Sequence, residues 1–99
     1  MIKHIVCFKL KDNSTEMCKK TADILMSMKG RVPQLIDIEV GVDFLHSPRS
    51  YDIILQVTLE NPDELKKYQK DPYHCDVVKK HMHSVMESSA AVDYEIQCF

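Results

Sequence analysis

Apolar and polar residues alternate over the first eleven positions. Ile2, His4, Val6, Phe8 and Leu10 fall on one face of an extended chain, and Lys3, Ile5, Cys7, Lys9 and Lys11 fall on the other. A period of two over that length predicts a β-strand. The first face is the more apolar and is expected to pack on helices, carrying His4 with it. Asn13 with Glu16 three residues on reads as a capping box. Met17, Thr21, Ile24, Leu25 and Met28 then recur at helical spacing as one buried stripe. Gly30 suits a left-handed stop, and Pro33 forbids continuation.

A second strand alternates Ile36, Ile38, Val40 and Val42 with Asp37, Glu39, Gly41 and Asp43. After a loop from Phe44 to Ser50, a third places Tyr51, Ile53, Leu55, Val57 and Leu59 on one face. Asn61-Pro62-Asp63-Glu64 is a strong helix start, with a capping side chain, proline at the first turn and acids against the dipole. Pro72 ends that helix and opens a second helical piece expected to run to Ser88, with His74, Val78, His81 and Val85 as its stripe and Val77 and Met82 beside it. Val92, Tyr94, Ile96 and Cys98 close the chain as a fourth strand. The order β-α-β-β-α-β with right-handed crossovers predicts an α+β, ferredoxin-like domain: a four-stranded antiparallel sheet with helices on one face. Ile5, Cys7 and Ile54 would then face water in a monomer, so a homodimer covering them is expected.

Length and composition narrow the picture. Ninety-nine residues make one domain spanning 1–99, and 44% apolar with 28% charged residues is ordinary for a globular chain. The net charge of −2 argues against a nucleic-acid partner, and the lysines from Lys66 to Lys80 are interleaved with acids as on a solvated helix face. An RNA-binding sheet of this topology needs paired aromatics on its central strands, and only Phe8 and Tyr51 are on offer. Lys3, His4 and Lys9 interrupt the N-terminal apolar stretch, and no run approaches the ~20 apolar residues of a membrane span, so a cytoplasmic protein without membrane contact is expected. The four cysteines, Cys7, Cys18, Cys75 and Cys98, form no Cys-x-x-Cys pair, and no His or Cys pair sits at a chelating spacing. His81 lies too far beyond His74 to share an ion with it, and His83 points to another side of the helix. No metal and no cofactor is expected. With only two glycines and no nucleophile elbow, phosphate-loop and serine-hydrolase chemistry are unsupported.

Met1-Ile2-Lys3-His4-Ile5-Val6 followed by Phe8-Lys9-Leu10-Lys11 resembles the opening of the Dabb family, the stress-responsive dimeric α+β barrel domains. Gly41, Tyr68, Pro72-x-His74 and Val92-Asp93-Tyr94 continue the resemblance along essentially the whole chain. The resemblance implies a dimer in which two sheets join into one barrel with helices outside. Plant members include stress-induced stable proteins and a polyketide cyclase that closes an aromatic ring by aldol condensation without metal or organic cofactor. By position, the pocket of that cyclase corresponds here to His4, Tyr68 and His74, and to Ile53 where the cyclase has a third-strand histidine.

These residues define the candidate chemistry. A neutral His74 is the candidate catalytic base for a proton beside a carbonyl, and Tyr68 is its candidate catalytic partner, orienting the ring or donating to a developing enolate. His4 and Ile53 are the candidate substrate-binding residues. The opposing reading makes His74 and His4 hydrogen-bonded core histidines and Tyr68 an amphipathic helix residue. Three functions follow: a dimeric barrel that binds an apolar carbonyl compound and moves its proton, a non-catalytic stress-responsive assembly, or, by analogy with related barrels, a cofactor-independent monooxygenase.

Overall fold

In the computed structural model, which describes residues 1–97, the chain runs β1 (Ile2–Leu10), α1 (Thr15–Met26), β2 (Asp37–Val42), β3 (Ile53–Leu59) and α2 (Pro62–Lys70). A π-helical segment (His74–Lys79), α3 (Lys80–Val85) and β4 (Met86–Glu95) follow. The strands form one antiparallel sheet in the order β2-β3-β1-β4, as the ferredoxin-like reading requires. Among the described residues no helix is long and apolar enough to cross a membrane.

The alternation in β1 and β3 is what fixes the sheet. Pairing sets His4 opposite Val57, Val6 opposite Leu55 and Phe8 opposite Ile53. A slip of one residue would turn the whole apolar set of Ile53, Leu55, Val57 and Leu59 out to water. Thr21, Leu25 and Met28 meet that face from the first helix and its following turn, fully buried. Gly30 takes a positive φ of 79° and ends the turn as expected. Asp52, itself buried, fastens the sheet end. Its carboxylate accepts from the Leu10 N–H at 2.8 Å and from the Asn13 amide at 3.3 Å, and its own N–H donates to the Phe8 carbonyl at 2.8 Å.

Three sequence expectations need correction. The cap of α1 is Ser14, whose hydroxyl accepts from the Met17 N–H; Asn13 is drawn away by the buried Asp52. The last helix ends at Val85, three residues early, because Met86 to Glu95 pair with β1, and that ladder overrides local helix preference. The buried stripe is His74, Val78 and Met82. A π turn closes i to i+5 and shifts the phase of everything after it, so His81 leaves the stripe and bonds Thr21 at 3.0 Å instead. Cys98, assigned by pattern to the last strand, lies outside the described residues.

The other sheet face carries no helix among the described residues. Ile5, Cys7 and Ile54 lie half-buried there, and the register adds Val92 and Tyr94, which remain 61% and 43% exposed. An apolar sheet face left open in this way is the surface a second subunit would cover.

Candidate functional site

Between the sheet and the helices lies a cavity of about 290 Å³. Val6, Phe8 and Leu55 supply its floor, Leu25, Val78, Met82 and Met86 its apolar walls, and His4, Tyr68 and His74 one polar side. Each of those three is placed by local structure. His4 faces the helices because it shares the pleat of Ile2 and Phe8. Tyr68 sits in the last turn of α2, whose start is fixed by the Asn61 cap and Pro62. His74 follows the Asp71-Pro72 corner, where the buried Asp71 carboxylate accepts from the Tyr73 and His74 N–H groups at 3.0 and 3.2 Å.

The three rings lie in a row. Tyr68 and His74 lie nearly parallel with centroids 4.2 Å apart, and His4 meets the edge of Tyr68 at 5.9 Å. His74 is 8% exposed, and its Nδ1 is buried without a hydrogen-bond partner among the described residues. Burial first, then the nearby Lys79 charge, push its pKa down to about 4, with His4 adding to the depression and the Tyr68 carbonyl and Asp71 opposing it. The ring is therefore neutral near pH 7. Tyr68 is fully buried and its phenol is pushed well above the ordinary range, again chiefly by burial and then by Asp71. Its hydroxyl is directed at the Met28 sulfur, 3.8 Å away, so the ring rather than the hydroxyl meets His74. His4 Nδ1 is bonded to the Asp93 carboxylate, and Nε2 makes no hydrogen bond among the described residues.

The structure thus gathers His4, Tyr68 and His74 at one cavity. It does not bring Ile53 there. The third-strand residue in the wall is Leu55, because register pairs Val6 with Leu55 and sends Ile53 to the buried position opposite Phe8. Asp93, Lys79 and His83 escaped the sequence reading: Asp93 reaches His4 through the β1–β4 register, and Lys79 and His83 reach the cavity through the π turn. Among the described residues no group of His, Cys, Asp and Glu side chains is arranged to hold a metal ion.

Comparison with known proteins agrees with the fold. The model of the Stress responsive A/B Barrel Domain, Dabb, matches residues 2–96. The chain belongs to the Dabb family. Among solved structures, a dimeric protein of ferredoxin-like fold from Bacteroides fragilis is 30% identical, with 96% of this chain and 95% of that one covered at a TM-score of 0.78. A Dabb protein from Mesorhizobium loti is 21% identical over 98% and 97% of the two chains, TM-score 0.75. The hydroxynitrile lyase of Passiflora edulis shares the Dabb-like fold at 16% identity over 97% and 93%, TM-score 0.80. A search of curated proteins found no match.

Proposed function

We propose that this chain is a homodimeric Dabb protein whose cavity binds an apolar, carbonyl-bearing small molecule and moves a proton beside that carbonyl without a cofactor. One observation carries the reading: a buried imidazole, neutral near pH 7 and stacked on Tyr68, lines a ligand-sized cavity. A titratable group perturbed by burial at a cavity is where acid–base chemistry is found. His74 is the proton acceptor. Tyr68 is its positioning residue, fixing the ring by stacking. His4, held through Nδ1 by Asp93, leaves Nε2 for a hydrogen bond to a ligand hydroxyl or enol. The dimer rests on the open sheet face of Ile5, Ile54, Val92 and Tyr94 and on the dimeric state of the Bacteroides fragilis relative. The fold shared with a lyase is in keeping with this chemistry.

The test is deuterium uptake from solvent into the carbons beside the carbonyl of 4-phenylbutan-2-one, followed by proton NMR. Exchange faster than in buffer, abolished in His74→Ala, supports the proposal. Saturable binding without accelerated exchange would leave a binding protein and remove the catalytic step. That non-catalytic role is the second reading, and the Tyr68 hydroxyl turned toward Met28 favours it.

A further inference from the structure

The mouth of the cavity differs from its floor. Lys79, Gln69 and His83 line it, Lys79 half-buried and the other two exposed. No Asp or Glu is among the lining residues, and Lys79 is the one lining side chain with a permanent charge. Its Nζ donates to the Gln69 main-chain carbonyl at 3.3 Å, beside the C-terminal end of α2, and forms no salt bridge among the described residues. A cation held by a carbonyl and lacking a counter-ion keeps its attraction for an anion, and the partly desolvated position strengthens it. The π turn creates this arrangement, because its wider spacing lets both Val78 and Lys79 line the cavity that holds His74.

Resting on the ligand-binding reading above, we infer that the ligand is an organic anion: an apolar body seated on Phe8, Leu55 and Met82, with a carboxylate at the Lys79–His83 mouth. Such a ligand also changes the base. Burial first, and then Lys79, hold the His74 proton affinity down, with His4 adding to the depression and the Tyr68 carbonyl and Asp71 opposing it. A carboxylate at the mouth offsets the Lys79 charge and raises that affinity. An anionic ligand therefore leaves His74 a stronger base than an uncharged ligand of the same shape does.

The test compares 3-phenylpropionate with 3-phenylpropanamide, which has the same skeleton and no charge, by calorimetric titration of the whole protein. The inference expects the acid to bind about tenfold more tightly, the value of one charge-assisted contact. Lys79→Gln should erase that preference, and Lys79→Arg should retain it. His74 ring resonances should titrate at higher pH with the acid bound than with the amide bound. Equal affinities in the unaltered protein, or a preference that survives Lys79→Gln, would overturn the anion assignment and leave the cavity reading standing. Failure of both compounds to bind would remove the two together.

Discussion

Replacing His74 by Phe separates a ligand-seeking imidazole from a satisfied core histidine. Phe keeps the ring stacked on Tyr68 at its 4.2 Å spacing, and the adjoining cavity of about 290 Å³ accepts the extra ring atom. What disappears is the buried Nδ1, which has no hydrogen-bond partner among the described residues. An unsatisfied buried polar atom costs about 1–3 kcal/mol, so His74→Phe should stabilise the protein near neutral pH by about 1 kcal/mol after imperfect packing is allowed for. The pH dependence adds a sharper signature. An unfolded His takes its proton near pH 6.5, whereas the folded ring waits until about 4. Above pH 6.5 the ring is neutral in both states and no penalty exists. Between those values the unfolded chain binds a proton that the fold refuses, so stability falls as pH falls. At 1.36 kcal/mol per pH unit the loss reaches about 2–3 kcal/mol by about pH 4.5. Lys79, His4 and Asp71 face the ring and remain in the variant, so the difference between the two proteins isolates the His74 imidazole. Urea midpoints of both proteins at neutral and acid pH, at one protomer concentration, measure the difference. The variant should lose its pH dependence by that amount. Identical acid sensitivity, or a variant destabilised near neutral pH by more than about 2 kcal/mol, would refute the reasoning.

Asp52→Ala strands the Leu10 N–H and should cost about 2–3 kcal/mol in a denaturant titration, whereas Asn13→Ala, which removes only a long bond to the same carboxylate, should cost under about 1 kcal/mol. Equal costs would show that Asp52 does not fasten the sheet end. Ile54→Lys places a charge on the open sheet face and should lower the light-scattering mass from twice the 11.5 kDa chain mass to 11.5 kDa itself. An unchanged dimer would move the interface elsewhere. Asp93→Asn should preserve stability within about 1 kcal/mol while altering the His4 ring nitrogen shifts, since the carboxylate bonded to Nδ1 is gone. Unaltered shifts would show that Asp93 does not set the tautomer.

The elements legible in the sequence were those whose pattern is local. β1 and β3 alternate cleanly because one face is buried, and Asn61-Pro62 declares a helix start whatever surrounds it. Local pattern failed where distant pairing decided the outcome. Ser88 to Ala91 carry no alternation, and only their ladder with β1 makes them strand. The π turn was invisible to a reading at 3.6 residues per turn, and it decided that Met82 rather than His81 faces inward. Tyr68, His74 and His4 were found at the cavity, but Leu55 replaced Ile53 because which strand residue reaches it depends on register. Asp93 was missed for the same reason: it lies 89 residues from His4 along the chain and meets it only through the sheet.

Titrating 4-phenylbutan-2-one into protein labelled with nitrogen-15 at its histidine rings tests directly whether His74 and His4 wall one cavity that takes a carbonyl-bearing ligand. The ring signals of His74 and His4 should shift together and saturate, while exposed His46, on the β2–β3 loop, stays still. Shifts that are absent, that never saturate, or that spread equally to His46 would contradict that reading.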